Sequence, residues 1–515
     1  MIALFRILLF SFVVERVTSA VRTGPQTYAP PRARAYRAKN RSLVMLAGAT
    51  AIASATAMFL AFRMGFEPAW GLLAAAALAA ACFVMRKWPI VLLAGLLFVG
   101  NFKTVAAKGI SFTDPTMILL LLSGVTIVVE MLFVISGDAE WSIQEAFQEQ
   151  QTGVLCFFIF VAVVVVSYLY TVAPNYGWVK LSSFLAFKPL VFIAPLVLLK
   201  GDRDVRLFVR AFFVLGLALT ARDVYFFLHP TKEIISGDID TTRIGDAQLI
   251  GMTLLILFFS SHFRKFPKLL GLAVVLFLTL GLVACTARGP LLSALFVLIT
   301  YSFIARDIES FFSYKQVLAG LLILSALIVP ALSWLERYPA IQERVSEKER
   351  ELAAFFHGAN DPGGTLQERL QYYSSAASAF AEKPLSGWGV GGWPVYFFGY
   401  EKEDYPHNLI LEIAAEQGLP GLIAFFAFLI AVCAAGRRIW RQRPDLALPL
   451  PLFAYSLLAC MFSSDLNTRT LWFWSGTILA ISRMCASEAI ARFRYHYPSP
   501  VSLLPEHASD YSQLA

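Results

Sequence analysis

Charge is what this chain has least of: only 15% of its 515 residues are Asp, Glu, Lys or Arg, while 58% are hydrophobic. An ordinary soluble protein carries about 25% charged and 45–50% apolar residues. With a mean hydropathy of +0.65, most of the surface must face something other than water, which excludes a soluble globule. Cysteine and histidine are scarce too, at six each. Cys82, Cys156, Cys285, Cys433, Cys460 and Cys485 all lie inside apolar runs, with no C-x-x-C pair and no histidine at ligand spacing. They read as buried small hydrophobes, and no metal or other cofactor is expected. Walker, G-x-S-x-G and Rossmann-type sequences are missing, as is any nucleic-acid motif, so nucleotide binding, serine hydrolysis and nucleic-acid binding lose their support. No repeat of fixed period and no low-complexity tract occurs.

What is present is a series of apolar runs near the length of about 20 residues that crosses a bilayer. They fall near 43–62, 68–84, 88–104, 115–135, 153–172, 181–200, 205–228, 246–262, 267–286, 289–305, 316–335, 408–434, 446–463 and 469–489. The expected fold is all-α: a polytopic membrane bundle of about 12–14 transmembrane helices. Basic clusters settle its direction. Arg32 to Arg41, Arg86–Lys87, Arg203–Arg206, Arg264–Lys268, Arg437–Arg443 and Arg492–Arg494 all fall on one side if the runs alternate, and that side is the cytoplasm. The net charge of +8 is therefore a matter of topology. The first 20 residues, with Glu15 and Arg16 inside them, fit an interfacial segment or a misassigned start better than a signal peptide.

The same alternation puts 173–180, 229–245, the turn Thr286–Pro290 and the long segment 336–407 outside. The chain divides into a basic N-terminal segment (1–42), a bundle (43–335), an outer loop domain (336–407), C-terminal spans (408–489) and a cytoplasmic tail (490–515). A loop of that length is too long for a connector. It contains a charged amphipathic stretch at 341–356. A second one at 366–381 is expected to turn Leu366, Leu370, Tyr373, Ala377 and Phe380 to one face. DPGG (361–364) and GWGVGGW (387–393) break the periodicity. The picture is a small helical cap over the outer face.

Polar residues on that outer side are the candidates for chemistry. His407 follows Pro406 and precedes the apolar run NLILEIAAEQGLPGLIAFF, at the expected first turn of a span. A helix N-terminus disfavours imidazolium, so His407 is either a neutral proton acceptor or an interfacial capping residue. Arg288, Arg243 and Arg369 are anomalous outside a membrane, where few arginines are expected. Each is either a salt-bridged side chain or part of a cluster that grips phosphate oxygens bidentately. Arg288 sits in a hairpin turn with almost no other polar residue near it in sequence. Glu412, one turn on from Asn408, and Glu416 are carboxylates in an apolar helix; Glu412 either serves function or pairs with an arginine to hold the cap. Gly387 and Gly389 permit positive φ or close backbone approach. The aromatics Trp388, Trp393, Tyr396, Phe397, Phe398, Tyr400 and Tyr405 either anchor the cap at the interface or stack on sugars.

Together these residues resemble the O-antigen ligase and polysaccharide polymerase superfamily of bacterial inner-membrane proteins. PHNLILEIAAEQGLPGL (406–422) is similar to the family's His-Asn, Leu-Glu and Gly-x-x-Gly signature after a large periplasmic loop. ERLQYYSSAASAFAEKPLSGWGVGG (368–392) resembles its Arg-containing helix and Pro-x-x-Gly-x-Gly turn, and TARGP (286–290) its Thr-x-Ser-Arg-Gly stretch, with Ala287 where serine is frequent. TTRIGDAQLIG is a weaker likeness, with Ala247–Gln248 in place of Pro-Asn. The likeness covers roughly residues 240–475.

The resemblance implies a metal-independent, inverting glycosyl transfer on the periplasmic face. The donor would be an undecaprenyl-diphosphate-linked glycan, and the acceptor hydroxyl would belong to lipid A-core or a growing polysaccharide. It further implies His407 as the group activating the acceptor. Arg288, Arg369 and Arg243 would hold the diphosphate, with Asn408, Glu412, Gly387 and Gly389 in support. Ligase and exopolysaccharide or O-antigen polymerase share this chemistry. The rivals from another class are a polysaccharide transporter, against which the concentration of charge at outer helix ends argues, and a noncatalytic assembly protein.

Overall fold

The computed structural model describes residues 89–98, 101, 151–228, 240–260, 263, 267–285, 287–304, 365–462 and 464–496. These residues form twelve α-helices and no strand: α1 (Pro89–Phe98), α2 (Gln151–Ser167), α3 (Pro174–Leu198), α4 (Asp202–Leu228), α5 (Asp240–Phe259), α6 (Lys268–Ala284), α7 (Arg288–Ile304), α8 (Thr365–Glu382), α9 (Trp393–Phe398), α10 (Leu409–Gln442), α11 (Pro449–Phe462) and α12 (Arg469–His496). The runs expected near 43–62, 68–84, 115–135 and 316–335, the amphipathic stretch 341–356 and Cys82 lie outside the described residues.

The protein is a helical membrane bundle. Four segments are long and apolar enough to cross a bilayer: Gln151–Tyr170, Pro174–Leu198, Asp202–Leu228 and Leu409–Gln442. Their outward residues are large and apolar, as at Leu155, Val214 and Ile430, which suits a lipid rather than an aqueous surround. With lipid as apolar as leucine, burial alone cannot hold such helices together, and close packing takes over. Gly216 of α4 sits where a Cβ would collide with Thr253 of α5, and Gly476 of α12 lies against the Phe192 carbonyl of α3. At the centre Trp472 is fully buried among Phe157, Phe160, Phe184, Phe425 and Phe428.

Polar groups separate to the two ends. At one end Arg443 binds Asp202 and Asp445, and Arg483 donates to the Leu196 and Leu199 carbonyls at 2.8 and 2.9 Å. At the other end lie the cap helices α8 and α9 and every candidate residue.

The cap is joined to the bundle at a break in α10. Gly418 has φ 66°, ψ −156° inside an otherwise continuous helix, and Pro420 follows. In a regular helix the Ala415 and Glu416 carbonyls would accept from the amides of residues 419 and 420. Residue 420 has no amide hydrogen, and Leu419 instead donates outward to the Pro384 carbonyl at 2.8 Å. The glycine-rich loop supplies what is missing: the Trp388 and Gly389 amides donate to the Ala415 and Glu416 carbonyls, both at 2.8 Å. Approach this close requires glycine. A Cβ on Gly387 (φ 67°) would stand 2.5 Å from Glu416 carbonyl atoms, and one on Gly389 (φ 80°) 2.3 Å from Thr171 Cα. The expected close approach at these two glycines is therefore real; its partner is the interrupted helix at Gly387 and the segment Ser167–Thr171 at Gly389.

Gly389→Ala is expected to lower stability by about 3 kcal/mol or more, combining left-handed strain with a backbone collision. Gly201→Ala, with nothing within 4 Å of the added Cβ, should change it by less than about 0.5 kcal/mol. Thermal unfolding of both variants in detergent tests the contrast.

Candidate active site at the junction of cap and bundle

Helix α8 presents Tyr372, Ala376 and Ala379 inward, where they form a small core with Trp393 and Ala415. This corrects the expected face: Leu370 and Ala377 point away and are exposed. Small alanines let α8 lie close on α10, and Tyr372 supplies the bulk between them. The cap aromatics are likewise mostly a core. Trp388, Tyr396, Phe397 and Phe398 pack against it, while Tyr400 alone of that set is exposed. The Trp388 indole donates to the Ala379 carbonyl at 3.0 Å, and the Lys383 ammonium lies 3.7 Å from its ring centroid.

His407 stands where cap meets bundle. It precedes α10 rather than occupying its first turn, and is the one non-glycine residue with positive φ (56°) among the described residues. Asn408 is the N-cap, its side chain accepting from the Ile410 and Leu411 amides at 3.1 Å each. The imidazole stacks on Tyr372 (centroids 6.0 Å, interplanar 5°) and lies 4.4 Å from the Tyr405 centroid. Its Nδ1 is buried with no hydrogen-bond partner. Burial first, then the charge of Arg369, pushes the imidazole below its ordinary pKa, against the opposing pull of Asp404, Glu368 and Asp465. A neutral His407 at pH 7 follows, though desolvation rather than the helix terminus is the larger cause. Burial also pushes the Tyr405 phenol up.

Below His407 runs the turn between α11 and α12. The Met461 carbonyl accepts from Asn408 Nδ2 (3.3 Å) and the Tyr373 hydroxyl (3.2 Å), and the Leu466 amide donates to Glu412 Oε2 (3.0 Å). Asp465 is held between these two ties, accepting from the Asn467 amide at 3.1 Å.

Glu412 pairs with lysine, not with an arginine. Lys180 Nζ lies 2.6 Å from both Glu412 and Glu416, and all three side chains are at most 1% exposed. Sequence placed residue 180 in an outside connection, but α3 begins at Pro174 and carries Lys180 well inside the bundle. The N-terminus of α3 is in turn capped by the cap: Glu401 accepts from the Asn175 and Tyr176 amides (3.0 and 2.8 Å).

Arg288 opens α7 and Arg243 lies in the first turn of α5. Polar neighbours, unseen in the sequence, surround these helix ends. Arg222 at the end of α4 binds Asp223 (2.6 Å) and Asp246 of α5 (2.5 Å). Asn101 donates to Asp246 at 2.7 Å, and the Cys285 thiol, three residues before Arg288, donates to Asp223 at 3.4 Å. Cys285 is thus a polar participant rather than a filler, and Cys433 is exposed rather than buried. The shared signal for Lys180, Arg222, Asp223 and Asp246 was an ionisable residue near the end of an apolar run.

The fold and site define a polytopic helical membrane protein with a polar site at one end of its bundle. Residues 272–426 match the family model described as O-antigen ligase, from α6 through the cap to beyond the break in α10. Among curated proteins none matches the chain. Over these residues the chain is similar to O-antigen ligases, which supports a function of the ligase or polymerase type in general. His407, Arg288, Arg369, Asn408, Glu412, Gly387 and Gly389 fall inside the matched residues, whereas Arg243, Lys180 and Asp465 fall outside.

Lys180→Met is expected to cost about 3–5 kcal/mol by leaving two buried carboxylates without their cation. Adding Glu412→Gln and Glu416→Gln should recover much of that loss, and a thermal-unfolding cycle of the single and triple variants measures it.

Proposed function

We propose that the protein transfers a glycan from an undecaprenyl-diphosphate carrier to an acceptor hydroxyl, as a ligase acting on lipid A-core or as a polymerase extending a polysaccharide. The observation that carries this reading is the family match over residues 272–426, a stretch of sequence that includes His407, Arg288 and Arg369. In the proposed step His407 takes the acceptor proton, the acceptor oxygen bonds to the anomeric carbon, and the carbon–oxygen bond to the diphosphate breaks. Displacement from the opposite face inverts the anomeric configuration. A desolvated, neutral imidazole with an unengaged Nδ1 suits proton acceptance near pH 7.

Arg288 and Arg369, with Arg243, would hold the diphosphate and stabilise the charge that develops as it leaves. Asn408 and Glu412 position the His407 segment, and Gly387 and Gly389 keep the cap seated. In this reading the loop 336–407 faces the periplasm, reads the acceptor, and the bundle lies in the bacterial inner membrane with the lipid tail among its helices.

His407→Ala, Arg288→Ala and Arg369→Ala should each lower transfer at least about 10²-fold. In a strain lacking the protein, long glycans held on the carrier would identify a ligase and single repeats a polymerase; wild-type surface glycan with His407→Ala would remove His407 from the chemistry. Arg369 supplies a second test. Its charge opposes the imidazolium, so Arg369→Gln should move the acid limb of the kcat/KM profile to higher pH as well as reduce the rate.

A further inference from the structure

The cap turn Pro384–Ser386 bridges the cap-side ends of two neighbouring spans. On one side Tyr170, in the short turn of helix that continues α2, donates its hydroxyl to the Ser386 carbonyl at 2.8 Å. On the other side the Leu419 amide of α10 donates to the Pro384 carbonyl at 2.8 Å. Between these two ties Leu385 is 73% exposed. Leu169 and Leu419 are exposed beside it, and so is Trp178 of α3, whose ring centroid lies 5.9 Å from that of Tyr168. Leu169, Tyr170, Trp178, Leu385 and Leu419 make an apolar collar with no charged member.

An apolar patch of this kind marks a contact with a partner, and continuity and depth identify which one. Below the collar the exposed side chains of both spans stay apolar, as at Ile159, Val165 and Val166 on α2 and Ile423, Phe426 and Ile430 on α10. No exposed polar residue interrupts this surface from 155 to 169 or from 419 to 430, and it faces lipid. Leu419 stands eighteen residues before Arg437, which opens the basic group at the far end of α10, a rise of about 27 Å. Tyr170 stands nineteen residues after Gln151 at the far end of α2, a rise of about 28 Å. Both spans therefore meet the collar where the hydrocarbon core, about 30 Å thick, gives way to headgroups, the level at which tyrosine and tryptophan gather. The rest of the described cap differs. Leu370 and Tyr400 apart, its exposed side chains are polar or small, as at Ser374, Glu382, Lys402 and Glu403.

We propose that the turn Pro384–Ser386, with Leu169, Tyr170 and Trp178, is a membrane-binding collar that sinks one edge of the cap into the adjacent leaflet, at the boundary of acyl chains and headgroups. The partner is the lipid surface itself, held by apolar area and interfacial aromatic rings. The cap is thus moored twice, by backbone hydrogen bonds to α10 and by lipid at its rim. The inference goes beyond the glycan-transfer reading and does not depend on it.

A photocrosslinking amino acid, p-benzoylphenylalanine, placed at Leu385 reports what the collar touches. The full-length protein carrying it is reconstituted into vesicles of phosphatidylethanolamine and phosphatidylglycerol, illuminated, and examined by intact-mass spectrometry, gel electrophoresis and peptide mapping. The same label at Ile430, on the lipid-facing side of α10, and at Glu403, on the polar part of the cap, provides the two references. The protein labelled at Leu385 should gain the mass of one phospholipid in a yield close to that at Ile430 and well above that at Glu403. A label at Trp178 should do the same, which gives a second reading should one position tolerate the probe badly. The proposal is overturned if neither position gains a phospholipid beyond the level at Glu403. It is also overturned if the label at Leu385 goes instead to a second copy, seen as a crosslinked dimer, or to another segment of the same chain, seen in the peptide map.

Discussion

A helix interrupted inside a membrane protein has carbonyls that water does not reach, and some part of the same chain must satisfy them. That requirement organises this molecule. Gly418 and Pro420 open the ladder of α10, and the Trp388 and Gly389 amides close it again. The cap is therefore hydrogen-bonded into the bundle as part of a transmembrane helix, rather than laid over its surface. From this one seam follow the position of His407 just ahead of α10, the packing of Tyr372 against it, and the turn carrying Asp465 underneath.

Electrostatics follows the same plan. Two groups of buried charge are arranged so that a cation meets carboxylates: Lys180 with Glu412 and Glu416, Arg222 with Asp223 and Asp246. Both groups tie separate helices together at the end of the bundle where the candidate residues lie. His407 is treated differently. It is partly buried without a charged hydrogen-bond partner, and its imidazole stays neutral because burial and Arg369 both oppose a proton.

Much of the bundle was legible from composition and periodicity alone, since runs of apolar residues can do little else but span. Helices α2 to α7 and α10 to α12 lie where those runs predicted them. The family signature was legible too, but its meaning was not. Gly-x-x-Gly at 418–421 and the glycine turn at 387–392 are spaced thirty residues apart, and only their contact reveals them as two halves of one joint. The inward face of α8 was misread because hydrophobicity favours Leu370, whereas close helix packing favours Ala376 and Ala379. Lys180 escaped notice because its partners lie more than 230 residues away, a distance no local pattern crosses.

The seam also sets where the chain is free to vary. Residues 384–392 and 415–420 must change together or not at all, since each supplies backbone groups that the other consumes. Sequence between these fixed points is tied to α3 through side chains, as at Glu401 and Tyr176, and side chains can be exchanged without opening a membrane helix. The cap can therefore diversify while the joint beneath it stays constant, so that descendants of one such chain come to differ in their outer surface while sharing how cap and bundle are joined.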